Sequence, residues 1–217
     1  MQLFGHPFSS YSWKAQIALD EKNLSYAYRN VDPAYPNNDA ELRRRWPLGK
    51  FPLLEDGERV VFETSAIIEY LEARFAEAPR LIPPDPLAAV EVRMLDRVFD
   101  SHVMAPMQQI VSDALRPIDQ RDAYGVERAR EALDAIYAWL DARAEQGEWA
   151  AGDTFTLADC AAAPALFYAD WAHPINGRFP AVSAYRARLL ARPSVARAVE
   201  GGRPYRGYFP LGAPDRD

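Results

Sequence analysis

Apolar and polar residues follow two different patterns along the chain, and the change falls near residue 80. Before that point, strand-like runs and helical repeats take turns. Gln2-Leu3-Phe4 predicts a strand, residues 13–22 predict a helix, and residues 24–30 predict a second strand. The polar, proline-containing residues 32–39 predict a loop, and residues 41–45 predict a short helix at most.

The stretch 49–71 carries the strongest local signals. Two apolar runs, 53–55 and 59–62, are joined by Asp56-Gly57, which predicts a tight β-hairpin. Glu63-Thr64-Ser65 then opens a helix with apolar residues at helical spacing. The resulting order is strand, helix, strand, helix, strand, strand, helix. It predicts a partly parallel sheet with helices on its faces.

A proline-rich segment separates this half from a purely helical one. Residues 78–86 contain four prolines in nine positions, so they cannot continue the preceding helix. Asp85-Pro86, at the end of this segment, is typical of a helix start. We therefore expect an α/β domain over residues 1–77, a linker over residues 78–86 and an all-α domain over residues 87–217.

The helical half has its own internal signals. Residues 94–111 carry apolar side chains at steps of three and four, and Pro106 predicts a kink in that helix. Thr156 and Asp159 have the spacing of a capping box, which predicts the start of a buried helix ending near Trp171. The remaining predictions are helices over residues 126–144, 180–191 and 194–200 and an irregular tail over residues 203–214.

Composition narrows the class of protein. The chain has 217 residues, 49% of them hydrophobic, and a formal net charge of −6, which argues against nucleic acid or an anionic membrane as a partner. Cys160 is the only cysteine, which excludes an internal disulfide and a CxxC pair. The most apolar stretch is interrupted by Asp159, Pro164 and Asp170 and is not a membrane span. With no secretory signal pattern at the start, a cytoplasmic location is expected.

The stretch 49–71 is also the first candidate for chemistry. The first N–H groups of the helix that begins near Glu63 are unpaired, and the helix dipole favours negative charge there. The Thr64 hydroxyl could join them around a carboxylate. If the Phe51–Pro52 bond is cis, Phe51 offers its backbone N–H and C=O to an extended peptide. The stretch therefore suits a small anionic peptide, although local capping also explains hydroxyls at a helix start.

Four motifs are spaced along the chain as in soluble glutathione S-transferases. They are Ser9-Ser10-Tyr11-Ser12-Trp13-Lys14, Lys50-Phe51-Pro52, Glu63-Thr64-Ser65-Ala66-Ile67 and residues 152–159. The first motif most resembles the zeta class and its bacterial relatives. This resemblance implies a thioredoxin-like N-terminal domain, a helical-bundle C-terminal domain, glutathione as co-substrate, an apolar electrophile, a role in detoxification and a homodimer.

The resemblance also implies which residues hold glutathione. Phe51, beside a cis Pro52, would pair its backbone with the cysteinyl part. Glu63 and Thr64 match the acid and hydroxyl that hold the γ-glutamyl end, where the family commonly has Ser in place of Thr64. Lys50 is assigned to the glycyl carboxylate on its charge alone. The alternative for Glu63 is a solvated acid at a helix start.

Activation of the glutathione thiol is the chemistry that this resemblance implies. Ser9 falls on the catalytic serine of the serine-type members, while Ser10 and Tyr11 remain alternative donors. A free thiol has a pKa near ~8.5, and the thiolate is the nucleophile. A hydroxyl that donates to the sulfur, and unpaired N–H groups at the next helix start, favour the thiolate. The zeta pattern has Cys in place of Tyr11, which disfavours maleylacetoacetate isomerase activity.

The electrophile leaves a weaker signal. Apolar residues of the helical half and the tail could line its pocket, although methionine at helical spacing more often belongs to a core. The candidates are Met104, Met107, Tyr124, Phe167, Trp171 and Tyr208. The three histidines lack the spacing of a metal site, and no role is assigned to His6, His102 or His173. Cys160 is expected to pack in the core, and Asp159 to cap its helix.

Three hypotheses about function remain open. The first is a glutathione transferase, in which the thiolate attacks an electrophile. The second is a glutathione-dependent isomerase or peroxidase, which uses the same thiolate. The third is a non-catalytic binding protein with the same fold. A thioltransferase with its own reactive cysteine is disfavoured, because no cysteine occupies residues 9–12.

Overall fold

A four-stranded mixed sheet forms the first half of the protein in a computed structural model that describes residues 1–175, 177–215 and 217. The strands are β1 (Gln2–Gly5), β2 (Ala27–Asn30), β3 (Leu53–Asp56) and β4 (Arg59–Phe62), in the order β2-β1-β3-β4. β1 runs parallel to β2 and antiparallel to β3, and β3 and β4 form the hairpin predicted at Asp56-Gly57. Gly57 has a φ of 61°, which glycine adopts without strain.

Three helices alternate with these strands, as predicted, but some bounds differ. They are α1 (Ser10–Glu21), α2 (Pro36–Arg45) and α3 (Thr64–Arg74). The loop prediction for residues 36–39 was wrong, because Pro36 opens a helix at a position where its missing N–H costs nothing. β2 begins later than predicted, because the Leu24 N–H still bonds to Leu19 O in the turn after α1.

Helices alone make up the second half of the described chain. They are α4 (Pro86–Val98), a π-helical segment (Phe99–Met104), α5 (Ala105–Ala114), α6 (Ala123–Ala144), α7 (Leu157–Ala172), α8 (Pro180–Ala191) and α9 (Pro193–Gly202). Short 3₁₀ turns cover Ile118–Gln120 and Arg203–Tyr208. The order of elements confirms the predicted fold class, a thioredoxin-like domain followed by a helical one. The 3₁₀ turn corrects the irregular tail predicted from residue 203.

Pro106 is accommodated by a change of helix type rather than by a simple kink. A proline inside a helix removes one N–H and crowds the carbonyl four residues earlier. Here the π-helical segment widens the backbone just before the proline, and Pro106 falls in the first turn of α5. Such π segments occur often at functional sites. This one faces the sheet domain.

α7 is the centre of the helical core, since its residues from Leu157 to Trp171 are all buried. The predicted capping box is present at its start, where the Thr156 N–H donates to Asp159 Oδ2 at 2.8 Å. Asp159 Oδ1 also accepts from the Ala150 N–H and the Tyr185 hydroxyl at 2.9 and 2.6 Å. Asp159 therefore joins the loop before α7, α7 itself and α8.

Packing between the two halves is extensive. Trp13 of α1 packs against Phe167 and Tyr168 of α7 in tilted orientations, with ring centroids 4.9 and 5.2 Å away. The predicted linker also contributes, because Leu81 is buried and its carbonyl accepts from the Leu157 N–H at 2.8 Å. Asp85 caps α4, as predicted, by accepting from the Ala88 N–H. Within the described residues, the helices are too short or too polar to cross a membrane.

Candidate functional site

A cavity of about 500 Å³ lies between the sheet domain and the π-helical segment, and we call it the first cavity. One wall comes from the residues before β3 and at the start of α3, and the other comes from the helical domain. Its described lining residues are Tyr11, Trp46, Lys50, Phe51, Pro52, Phe62, Glu63, Thr64, Ser65, Arg97, Asp100, Ser101, Ala105 and Gln108. The structure thus brings all five of the residues predicted to hold glutathione into one lining.

The start of α3 is open toward this cavity. Glu63 precedes the helix without a side-chain cap hydrogen bond, and its backbone has φ 67° and ψ 114°. Such a conformation is strained for a residue with a side chain, and it persists where the surroundings enforce it. Thr64 is buried at the first helical position and does not cap the helix. The first N–H groups of α3 are therefore left for a bound anion.

The segment just before β3 completes this wall. The Phe51–Pro52 peptide bond is cis. Within the described chain, neither the N–H nor the C=O of Phe51 has a backbone partner. Lys50 is exposed at the same edge, and its ammonium group forms no ion pair within the described residues. An extended peptide with a terminal carboxylate matches these unpaired groups.

A second cavity of about 530 Å³ opens beside the first. It shares Tyr11, Lys50, Phe51 and Gln108 with the first cavity, so the two spaces meet. Its other described lining residues are Phe8, Ser9, Ser10, Gly49, Met107, Val111, Leu115, Tyr168, Tyr208, Phe209 and Pro210. Most of these residues are apolar, and Lys50 is the only cation among all the described residues that line the second cavity.

The turn that carries Ser9 is held by hydrogen bonds from several elements. The Ser9 N–H donates to His6 O at 2.9 Å, the Trp13 ring N–H donates to Pro7 O at 2.5 Å, and the Tyr168 hydroxyl donates to Phe8 O at 2.9 Å. The side chain of Ser9 caps α1 by accepting from the Ser12 N–H at 3.2 Å. Since nearly every backbone group has a partner, the turn is well fixed.

Three residues with hydroxyl groups, Ser9, Ser10 and Tyr11, line the second cavity, and Tyr11 also lines the first. Ser9 Oγ accepts a hydrogen bond as the cap of α1, which leaves its own O–H free to donate. Ser10 is buried and Tyr11 is half-buried, and both line the second cavity. Burial, followed by the nearby Asp100 carboxylate, raises the pKa of the Tyr11 phenol, so Tyr11 is a donor at neutral pH. All three therefore remain candidate donors to a thiol.

A buried charge network lies behind the start of α3. The Lys14 ammonium lies 2.5 Å from Asp96 Oδ1 and 2.7 Å from Asp100 Oδ2, and it donates to Ser65 Oγ at 3.0 Å. Ser65 in turn donates to Asp96 at 2.9 Å, and Arg97 pairs with Asp100 at 2.6 Å. The network joins α1 and α3 to the helical domain next to the first cavity. Sequence reasoning missed it, because a lysine in a helix gives no sign of burial.

The residues predicted for the electrophile divide into two groups. Met107 and Tyr208 line the second cavity. The other four do not line it. Three of these are buried in the core, namely Met104, Phe167 and Trp171, and Tyr124 on α6 is 77% exposed to solvent. Helical spacing identifies apolar positions but not the face that a cavity uses, so it could not separate these groups. Phe209, part of the aromatic tail whose sequence suggests an apolar pocket wall, also lines the cavity, whereas Phe8, Val111 and Leu115 are lining residues that the sequence did not single out.

Comparison with known proteins agrees with the two-domain fold. The profile of the glutathione S-transferase N-terminal domain matches residues 3–79, and that of the C-terminal domain matches residues 103–193. The chain belongs to the glutathione S-transferase family. Its sequence is 28% identical over 210 residues to a probable maleylacetoacetate isomerase of Caenorhabditis elegans, covering 94% of this chain and 95% of the relative.

Two further relatives show the spread of this glutathione S-transferase family. A stringent starvation protein A homolog of Coxiella burnetii is 32% identical over 168 residues, covering 77% of this chain and 75% of the relative. A glutathione S-transferase of Methylobacterium radiotolerans, solved in complex with glutathione sulfonate, has a TM-score of 0.78 and 29% identity. That match covers 91% of this chain and 93% of the other.

Proposed function

We propose that this chain is a glutathione transferase that binds glutathione in the first cavity and attacks an apolar electrophile held in the second. The observation that carries this proposal is the junction of the two cavities at Tyr11, Lys50 and Phe51, directly beside Ser9. A polar peptide site and an apolar space share one wall, and the hydroxyl groups lie at the join. Reaction then needs little more than holding the two substrates together.

Glutathione fits the first cavity by its chemical groups. Its γ-glutamyl carboxylate would bind at the start of α3 with the Thr64 hydroxyl, and its ammonium group would face Glu63. The cysteinyl backbone would pair with Phe51, which is free to donate and accept. The glycyl carboxylate would lie near Lys50. This arrangement leaves the sulfur beside the start of α1.

Activation follows from the same placement. The Ser9 O–H would donate to the sulfur, while the N–H groups of Ser10 and Tyr11 lie at the start of α1 and lack helical partners. Both effects favour the thiolate over the thiol. A lowering of the thiol pKa by ~2 units corresponds to roughly 2.7 kcal/mol. Ser9 forms no covalent bond in this scheme, and Ser10 and Tyr11 are the alternative donors.

Isomerisation of maleylacetoacetate is the second candidate, because relatives carry that name. Its substrate has two carboxylates, and a site for it needs cations. Of the described residues that line the second cavity, only Lys50 is positively charged, and Lys50 also serves the first cavity. The lining therefore supports a neutral, apolar electrophile better than a dicarboxylate.

A homodimer is part of the proposal. Helix α4 exposes Leu87, Val90 and Met94 by 81%, 60% and 47%, at steps of three and four along one face. An exposed apolar stripe of this kind favours association with a second copy. Sedimentation equilibrium would show a single species of twice the chain mass, and a monomer at micromolar concentration would contradict this part.

The test is the thiolate of bound glutathione, measured by its ultraviolet absorbance. We expect Ser9→Ala to keep its affinity for glutathione, as measured by calorimetry, but to lose most of the thiolate signal and about 100-fold in kcat. Ser10→Ala and Tyr11→Phe are the matched controls and should retain the signal. An unchanged signal in Ser9→Ala would move the role to Ser10 or Tyr11.

The reaction itself needs a separate measurement. The wild-type protein should conjugate glutathione to halo-aromatics, enals or isothiocyanates and should turn over maleylacetoacetate or peroxides poorly. A wild-type protein that does not bind glutathione would overturn the whole proposal. Binding without conjugation of any electrophile would instead favour the non-catalytic alternative.

A further inference from the structure

His6 lies at the edge of the sheet where the parallel strands β1 and β2 both end. It follows Gly5, the last residue of β1, while Asn30 ends β2 and Asp32 lies two residues further on. Because the carboxyl ends of parallel strands meet at one edge, these side chains are neighbours. His6 Nε2 is 3.3 Å from Asp32 Oδ2, and the Asn30 amide donates to the Tyr205 hydroxyl at 3.2 Å.

One ring nitrogen of His6 shapes the turn that carries Ser9. The Phe8 N–H donates to His6 Nδ1 at 3.0 Å, and the Ser9 N–H donates to the His6 carbonyl at 2.9 Å. A backbone N–H can only donate, so Nδ1 is the nitrogen without a hydrogen, and Nε2–H faces the Asp32 carboxylate. The imidazole is therefore held in one tautomer by contacts on both sides.

The imidazole ring of His6 also packs against three aromatic side chains, Phe51, Tyr205 and Tyr208. Tyr205 meets the ring edge-on, with centroids 4.8 Å apart, and Tyr208 lies 6.2 Å away. Phe51 lies 6.3 Å away in a stacked orientation. Tyr208 lines the second cavity, and Phe51 lines both cavities. The imidazole thus contacts both the thiol-activating turn and the wall on the electrophile side.

We propose that His6 is a positioning residue with two separable effects. Its Nδ1 fixes the turn that presents Ser9, and its ring packs against Tyr205 and Tyr208, of which Tyr208 lines the second cavity. This inference rests on the proposed function for its kinetic consequences. Its structural content, one side chain that orders two segments, stands independently of activity.

Two substitutions separate the effects. In His6→Asn, the amide oxygen can still accept from the Phe8 N–H, as in an Asx turn, but the ring is lost. In His6→Phe, the ring remains and the acceptor is lost. The primary measurement is amide hydrogen exchange in the free protein, compared between residues 8–11 and residues 203–208. His6→Phe should speed exchange about fivefold in residues 8–11 only, and His6→Asn should do so in residues 203–208 only.

Kinetics supply the second measurement. His6→Phe should lower the thiolate signal of bound glutathione and leave the KM for a halogenated nitrobenzene nearly unchanged. His6→Asn should leave the thiolate signal nearly unchanged and raise that KM about fivefold. Asn30→Ala is the control, because it removes the bond to the Tyr205 hydroxyl but leaves His6 in place, and it should leave exchange in residues 8–11 unchanged.

The outcomes distinguish this inference from the proposed function. Equal changes of exchange in both segments for both variants, or no change in either, would overturn the role of His6. A wild-type protein without glutathione activity would overturn the proposed function, and the exchange pattern would still decide the inference about His6.

Discussion

Helices α1 and α3 begin at two adjoining cavities, but their first turns are built in opposite ways. At α1, Ser9 supplies a side-chain cap, and the preceding turn is tied to other elements through its carbonyl groups. At α3, no side chain caps the helix, and Glu63 holds a strained backbone with φ 67°. The first start is capped by its own chain, whereas the second leaves its first N–H groups without a side-chain cap, as an anion-binding start requires.

This difference matches the two tasks in the proposed function. A reacting sulfur needs a fixed donor, since small displacements of catalytic groups cost rate. A carboxylate at the end of a flexible peptide needs hydrogen-bond donors that have no protein partner. Water occupies such donors in the free protein, and the carboxylate displaces it. The open start of α3 remains in place because the buried network around Lys14 holds Ser65 from behind. Each prediction below changes one of the two helix starts.

The largest effect is expected from Lys14→Met. The substitution removes the buried cation that Asp96 and Asp100 share and leaves them only the more exposed Arg97, although the shape of the side chain is kept. Removal of one partner from a buried ion pair costs about 3–5 kcal/mol of the free energy of unfolding. Urea titration measures this loss. Glutathione affinity should fall as well, because Ser65 and the start of α3 lose their anchor.

Arg93→Met is the matched control for that experiment. Arg93 pairs with Glu69, also between α4 and α3, but the side chains are 46% and 39% exposed. Exposed ion pairs contribute at most about 1 kcal/mol. If Lys14→Met were no less stable than Arg93→Met, the network would not support α3.

Lys14 also shows where prediction from the sequence stops. The Asp56-Gly57 hairpin and the capping box of Thr156 and Asp159 are local signals, and the structure confirms both. Lys14 pairs with Asp96, more than eighty positions along the chain. No periodicity within one helix encodes such a partner, and the alkyl chain of a lysine is compatible with either face.

The candidate site also contains one part that local sequence signals predict and one part that depends on how the helices pack. The motifs around Ser9, Phe51 and Thr64 each have a local backbone signature, and the structure brings them to adjoining cavities. Their chemical roles remain predictions. The wall of the second cavity depends on how helices pack, which explains why Met107 lines it while Met104, three residues earlier, is buried in the core.

Thr64→Val tests the proposed role of the α3 start in binding glutathione, and it should change affinity but not stability. The hydroxyl at α3 does not cap the helix, so its loss should leave the free energy of unfolding nearly unchanged. A hydrogen bond to a carboxylate contributes enough that glutathione Kd should rise about tenfold. Isothermal titration calorimetry and thermal unfolding measure the two quantities.

Ser9→Ala is the counterpart of Thr64→Val at α1. Here the hydroxyl caps the helix, so its loss should lower stability by about 1 kcal/mol, or about 2–4 °C in Tm for a chain of this size. Glutathione affinity should stay the same. Equal effects of the two substitutions on affinity and on stability would remove the distinction between the helix starts.

The smallest effect is expected at Glu63, where two variants differ in the backbone conformations that they adopt without strain. Glu63→Ala and Glu63→Gly both remove the carboxylate, but only glycine adopts a φ of 67° without steric strain. The glycine variant should therefore be more stable than the alanine variant by about 1 kcal/mol, measured by thermal unfolding. Both variants should bind glutathione with the same weakened affinity, because both lack the partner for the γ-glutamyl ammonium. An alanine variant as stable as the glycine variant would mean that α3 begins without strain, and that its opening toward the cavity arises only from the absence of a cap.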